Sequence, residues 1–391
     1  MTRGSEIRGK AANRADRQND IVATTNRLHK MRQARGLGAA EIARRAGVSR
    51  QTIYAIESGD FVPNTAVALQ LARILEVSVE ELFSIDTSPD QPLASFKADL
   101  LATGGRKCSA GELVRVGRVG TRMVAAPAPH FATFLSDADG VIAAQSKTSG
   151  TIRPVVQSVS NRNSLVVAGC DPAISVLAGE LKSAGTEVVT VPSSSQEALD
   201  WLKRGLVHVA GTHLRDRLTG EYNVPLATTL FGKGNICIVT FAEWEQGLVV
   251  RRGNPKRIRS VADLAGKRVT IVNREKGSGA RDLLDSKMRA AGIPPRNIRG
   301  YDRVVPTHLA AALTVANAQA DCCVATVSAA KCLGLDFIPL STERFDLVVA
   351  SSEMDNSGIR ALFDALNRAN LRHKLAMVAG YDVRHTGDTL M

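Results

Sequence analysis

NRLHKMRQARGLGAAEIARRAGVSRQTIYAIESGDFVPNTAVALQLARILEVSVEELFSID, residues 26–86, decides the reading of the N-terminal part of the chain. Its apolar positions fall three or four apart: Leu28 and Met31, then Ile42, Ala43 and Ala46, then Ile53 and Ile56, then Leu69, Leu71 and Leu75. That interval lines one face of a helix. Gly36 closes the first helix, Gly47 breaks the chain after the second, Ser49 can cap the third, Gly59 and Pro63 end it, and Ser78 can cap a fifth. The pattern predicts five helices. Ile42 to Ile56 reads as helix, short glycine turn and helix, which presents its second helix to a DNA major groove.

AGVSRQTIYAIESG (46–59) resembles, position by position, the turn and recognition helix of the phage repressor and Cro type of helix-turn-helix, the XRE family, and the resemblance spans about 26–84. It implies that Arg50 and Gln51 reach base edges, with Tyr54 one turn later; Arg can hold guanine, and Gln adenine, through paired hydrogen bonds. The second helix departs from the family, because Gly38, Ala39 and Ala40 stand where a hydroxyl residue and then a glutamine are usual, and Ala55 is too short to read a base. Basic side chains must then carry more of the affinity. Seven Lys or Arg lie between Arg27 and Arg50 against one acid, Glu41. Arg27, Lys30, Arg32, Arg35, Arg44 and Arg45, with Ser49 and Thr52, are expected on phosphates, giving a steep salt dependence. Proteins of this kind bind double-stranded DNA as homodimers at half-sites about one turn apart.

A net charge of +12 over 391 residues suits a polyanionic partner, while 44% hydrophobic and 23% charged residues describe an ordinary globular chain of two or three domains. Residues 1–20 carry Arg3, Arg8, Lys10, Arg14 and Arg17 with no apolar run that could serve as a signal sequence, so a disordered basic tail is expected there. No stretch approaches the ~18 apolar residues that span a bilayer, and a cytoplasmic protein without a membrane partner is expected. The six cysteines, Cys108, Cys170, Cys237, Cys322, Cys323 and Cys332, show no CxxC pairing and no interleaved histidines. They read as buried small hydrophobes, with Cys322 and Cys323 alternating across a strand, and not as zinc or disulfide partners. No metal is expected.

Residues 87–160 read as a connector with a small β element. TSPDQP (87–92) closes the DNA-binding domain (21–86), GELVRVGRVGTRMVAAPAP (111–129) alternates like a strand or hairpin, and residues 143–163 are polar as a loop would be. From 161 to 391 strands and helices alternate, as in a layered α/β sheet. SLVVAG, EVVTVP and LVHVAGTHL are strands between helical segments of a first lobe, about 161–240 and 350–391; the same rhythm resumes in a second lobe, about 255–342. ICIVTFAEWEQGLVV and RFDLVVAS run extended between them. Two lobes with two crossings describe a type II periplasmic-binding-protein fold, whose cleft closes on a small ligand. The expected architecture is an all-α five-helix helix-turn-helix domain followed by this α/β two-lobed sensor domain.

AGCDPAISVLA (168–178), VAGTHLRDRLTGEYN (209–223), WEQGLVVRRGNP (244–255), VNREKGSGARDLLD (272–285), THLAAAL (307–313), GLDFIPL (334–340) and ERFDLVVA (343–350) resemble the molybdate-binding-protein-like domain family over roughly 160–352. The resemblance implies molybdate or a related oxyanion as effector, with no resident cofactor. The helix starts that face the cleft in this topology offer unpaired N–H groups and positive dipole ends. They supply Asp171, Ser193, Ser194, Ser195, Thr212 and His213 from the first lobe, with Tyr222 and Asn223 lining the cleft or forming the turn after Gly220. The second lobe supplies Gly277, Ser278, Gly279, Arg281, Thr307 and His308. Asp171 would repel an anion unless it caps its own helix or binds a ligand hydroxyl, and Arg281 could equally pair with Asp285. Ala280 stands where the family usually has Thr or Ser. His213 and His308 read as neutral hydrogen-bonding residues, because neither has a ligand partner at helical spacing. No Ser/His/Asp, Cys/His or paired-carboxylate arrangement is visible, so no catalytic residue is expected. The functional expectation is a one-component transcriptional regulator controlled by a small solute; the alternative is an accessory protein or enzyme of molybdenum cofactor synthesis or molybdenum handling.

Overall fold

Helices form where the apolar spacing requires them. The computed structural model describes residues 24–85, 93–102, 106–129, 137–155, 164–216, 218–265 and 268–391, and divides into a unit ending at Pro92 and one beginning at Leu93. The tail over 1–20 and the TSPDQP segment lie outside the described residues. The first unit contains β1 (Thr24–Asn26), α1 (Leu28–Ala34), α2 (Ala39–Ala46), α3 (Arg50–Ser58), α4 (Thr65–Leu75), α5 (Val79–Leu82) and β2 (Phe83–Ile85). Leu28, Ile42, Ile53, Ile56, Leu71, Leu75 and Leu82 are completely buried in one core. Leu69, expected among them, is 57% exposed. Gly47 ends α2 at φ 66°, and the Ser49 hydroxyl accepts the Thr52 N–H at 3.0 Å to start α3. Gly38 starts α2 with no side-chain cap, as its sequence requires. A short antiparallel ladder from β1 to β2 ties the two ends of the unit together.

In the second unit β3 (Phe96–Leu100), β4 (Leu113–Val119), β5 (Arg122–Pro127), β6 (Gly140–Gln145) and β7 (Ser149–Pro154) close into a barrel in the order β3-β5-β4-β6-β7. The region expected to be a connector is therefore a barrel, and the polar stretch expected as a loop over 143–163 carries part of the β6–β7 hairpin. Buried Ile142 and Ile152 give these strands an inward face, and a register shift between Ile142 and Ala144 hides the alternation. Barrel residues Leu101, Val119, Val124 and Ala126 share one core with Val166, Ala168, Val189 and Trp201 of the following lobe. Gly117 is required at this join, because a Cβ there would stand 2.4 Å from Val166 Cγ2.

The first lobe is built from β8 (Ser164–Gly169), α6 (Ile174–Ser183), β9 (Glu187–Pro192), α7 (Ser195–Lys203), β10 (Val209–Thr212) and α8 (Val224–Phe231). β8 is buried along its whole length, which suits a parallel strand between β9 and β10 with both faces covered. β11 (Ile236–Val250) leads into β12 (Asn273–Arg274), α9 (Gly279–Ala290), β13 (Val304–Val305), α10 (His308–Ala316), β14 (Cys322–Thr326) and α11 (Val327–Cys332) of the second lobe. β15 (Asp336–Ala350) returns, and α12 (Ser357–Asn367), α13 (Ala369–Ala376) and β16 (Tyr381–Asp382) pack back on the first lobe. β11 and β15 pair antiparallel from end to end, with irregularities between Thr240 and Ala242 and between Gln246 and Gly247. They join both lobes in one sheet of order β14-β11-β15-β10-β8-β9. Cys322 and Cys323 alternate as adjacent strand residues must, one into each of two cores.

Candidate functional site

In the first unit, the recognition helix α3 exposes Arg50, Gln51 and Tyr54. The Arg50 guanidinium donates to the Tyr54 hydroxyl at 2.8 Å and lies 5.3 Å from the ring centroid, so the two form one ordered, solvent-facing pair. Arg27, Lys30 and Arg45 are exposed. Arg35 and Arg44 pair with Glu76 and Glu41 at the surface, at 2.7 and 3.0 Å, contacts weak enough (about 1 kcal/mol or less) to be exchanged for phosphate. The Ser49 hydroxyl is committed as the α3 cap, with Thr52 Oγ1 2.8 Å away. Arg32 departs from the expected phosphate set. Its guanidinium is buried, bound to both oxygens of Glu57 at 2.6 and 3.1 Å and to the Leu37 carbonyl at 3.0 Å, so it holds α1 to α3.

Arg50→Ala and Gln51→Ala are expected to weaken binding to an operator selected from random sequence and to relax base preference by about 1–3 kcal/mol at one position. Arg45→Ala should weaken all sequences alike and lower the salt slope by about 1. Anisotropy titrations against salt separate the two; unchanged preference in the first pair would remove them from the base readers.

In the second unit the expected helix starts do meet. Gln196 N–H donates to the Gly277 carbonyl at 3.2 Å, joining the start of α7 to the turn before α9. A Cβ on Gly279 would stand 2.2 Å from the His213 ring. Many of the predicted side chains, however, are already bonded within the protein. Ser194, Ser278 and Thr307 cap α7, α9 and α10. The Ser195 hydroxyl accepts the His213 N–H at 3.2 Å. Thr212 donates to Asn223 Oδ1, and Asn223 in turn donates to Asp346 at 2.7 Å, which ties the 212–223 loop to β15. The Tyr222 hydroxyl donates to the Thr342 carbonyl. Arg281 pairs with Asp285, stacks 3.9 Å from the Tyr301 centroid and donates to the Arg274 carbonyl. These contacts give Thr212, Tyr222, Asn223 and Arg281 structural work in this arrangement. Asp171 accepts the Ala173 N–H at 2.7 Å in the turn before α6, without capping that helix, and it also accepts the Tyr381 hydroxyl. Burial pushes its pKa up to about 6 against those two donors.

The polar capacity left open lies deeper. Ser193 Oγ and both ring nitrogens of His308 are buried without a partner. So is Nη1 of Arg274, which sits in the VNREKG string but was not singled out by sequence; its other donors grip Glu275 at 3.1 and 3.0 Å. Burial works against the Arg274 charge, but Glu275 and Cys170 outweigh it and raise its pKa. Sequence reasoning also missed Cys170 and Glu343. Cys170 Sγ lies 3.3 Å from His213 Nε2, and His213 Nδ1 lies 2.7 Å from Glu343 Oε2. Burial disfavours the imidazolium, yet Cys170 and Glu343 raise the His213 pKa to about 10. His308 moves the other way, well below its usual value, through burial and then the Arg274 and His213 charges. Cys170, His213 and His308 place their donor atoms within 4.8 Å of one another. The sequence signal for Cys170 and His213 was a polar residue ending an apolar strand, and for His308 the start of a helix.

A helix-turn-helix domain family matches residues 25–83, and the PBP superfamily domain matches residues 178–367. YvgK of Bacillus subtilis (strain 168) is 32% identical over 231 residues, covering 59% of this chain and 74% of YvgK. The HTH-type transcriptional regulator MJ0272 of Methanocaldococcus jannaschii is 38% identical over 58 residues, 15% of this chain and 88% of that protein. Among solved structures, a putative phosphate ABC transporter substrate-binding protein of Clostridium perfringens with bound phosphate covers 55% of this chain and 97% of its own, with 11% identity and a TM-score of 0.43.

Proposed function

Because this chain belongs to the helix-turn-helix proteins that carry a PBP superfamily domain, we propose that it is a one-component regulator whose hold on operator DNA is set by a small anionic solute between the lobes, an oxyanion such as molybdate. The observation that carries this reading is Arg274. A fully buried guanidinium with one unpartnered nitrogen, close enough to the unpartnered His308 ring to act on its charge, supplies positive charge and donors that a tetrahedral anion would complete, and the Ser193 hydroxyl is likewise buried without a partner. The Ser193 N–H donates to the carbonyl of Gly169, the residue before Cys170, and Arg274 lies close enough to Cys170 for the sulfur to favour its charge. The protein acts as a homodimer on paired half-sites, in the compartment that holds the DNA. Solute changes operator affinity only by its preference for one DNA-binding geometry.

A thermal-shift screen of the full chain against molybdate, tungstate, sulfate, phosphate and small organic acids tests the solute. A true effector at about a hundred times its Kd stabilises by ~2.7 kcal/mol and raises the midpoint by a few degrees. Arg274→Gln is expected to remove that shift. If organic acids alone raise the midpoint, the oxyanion reading is wrong. The accessory-enzyme reading draws on the Cys170, His213 and Glu343 alignment, which has the order of nucleophile, base and orienting carboxylate. It requires turnover of the solute, which mass spectrometry after incubation with the protein decides.

A further inference from the structure

We propose that Cys170, His213 and His308 form a binding site for a zinc-class transition-metal ion, with donors from both lobes. The three donor atoms lie within 4.8 Å of one another, all in buried side chains. Cys170 and His213 come from the ends of β8 and β10 in the first lobe; His308 opens α10 in the second. A thiolate with two imidazoles is the donor set of zinc and its softer neighbours, not of calcium or magnesium.

Two further observations point to an ion. Glu343 Oε2 holds His213 Nδ1 at 2.7 Å, which directs Nε2 toward Cys170 Sγ; a carboxylate behind a histidine is how metal-binding imidazoles are commonly oriented. His308 is completely buried with neither ring nitrogen bonded, an arrangement that is destabilising unless something completes it. Trp244 and Phe345 pack against His213 at 4.9 and 6.0 Å between centroids, giving the site a dry wall. A divalent ion, one thiolate and the Glu343 carboxylate sum to no net charge, so Arg274 nearby need not repel the assembly. Three protein donors leave a tetrahedral ion one open position. Because the donors come from both lobes, binding the ion and bringing the lobes together are one event. The inference does not depend on the choice of anion.

The test uses the full chain in buffer free of oxyanions, with Co2+ as a spectroscopic probe and Zn2+ as its competitor. One Co2+ per chain is expected, with a thiolate-to-cobalt charge-transfer band that Zn2+ abolishes. Cys170→Ser should lose the band, and His308→Ala should weaken Co2+ binding at least a hundredfold, while Cys332→Ser, which removes an exposed thiol, leaves both unchanged. Melting without metal identifies any variant that fails to fold; in that case the comparison moves to His308→Gln, which should weaken Co2+ binding at least a hundredfold. Absence of the band in the native chain, or its survival in folded Cys170→Ser, overturns the site. An oxyanion-induced thermal shift measured separately stands or falls without it.

Discussion

Arg32→Ala is expected to unfold the DNA-binding unit, where an exposed arginine on the same helix would cost only phosphate affinity. The guanidinium is bound by a carboxylate and a carbonyl inside the fold, and removing one partner of such a pair strands the other at a cost of about 3 kcal/mol or more. A unit of this size holds only about 3–5 kcal/mol of stability in all. Both tryptophans, Trp201 and Trp244, lie in the second unit, so loss of helical ellipticity at unchanged tryptophan fluorescence reports the first unit alone. Arg27→Ala should leave that signal untouched. If Arg32→Ala melts like the native chain, the ion pair is not structural. The pair also sets a pH response. Burial acts to raise the Glu57 pKa, but hydrogen bonds from Arg32 and His29 outweigh it and hold it below its ordinary 4.5. The unfolded state therefore takes up the proton first. Stability from this group is present above about pH 4.5 and is lost as pH falls through the lower folded value.

Gly279→Ala is expected to hold the lobes apart. Gly279 opens α9 with ordinary helical backbone, and alanine favours a helix over glycine by roughly 1 kcal/mol, so the second lobe itself should not suffer. The added Cβ would stand 2.2 and 2.3 Å from two atoms of the His213 ring. Overlap of that kind costs about 1–3 kcal/mol, which lowers affinity for any enclosed solute roughly ten- to hundredfold. Calorimetry with the solute found by thermal shift measures the loss, and small-angle scattering should show a more open unit. Adding His213→Ala to the same chain should restore the native scattering curve. Native affinity and scattering in Gly279→Ala alone would show that this contact does not limit closure.

The helices around the recognition helix were legible because their signals are local: capping residues and three- or four-residue spacing act within one turn. Leu69 shows the limit, since an apolar residue at the right interval was exposed by the way α4 packs. Arg32 was misread because charge is visible in sequence while its partner, Glu57, lies 25 residues away and is brought in by folding. The barrel escaped because several inward positions are small, such as Ala98, Cys108 and Ala125, and give little alternation to read. In the cleft, topology correctly brought the Ser193 and Gly277 regions together, because helix starts follow strand ends in such sheets. Which side chains remained free was not legible: Ser194, Ser278 and Thr307 cap helices, while Cys170, Arg274 and Glu343 come from three distant elements.

The join between the barrel and the first lobe bears on the order of events at the ribosome. β3 to β7 need only one another, whereas β8, β9 and β10 belong to a sheet whose next strand, β15 on β10, ends at Ala350. At 5–20 residues per second, the Val-rich strands of the lobe wait roughly ten to forty seconds for that partner. A barrel completed earlier offers Leu101, Val119, Val124 and Ala126 as a surface on which Val166 and Val189 can shelter. Nascent chains that begin at residue 161 lack that shelter, and should aggregate during synthesis where chains beginning at Leu93 do not.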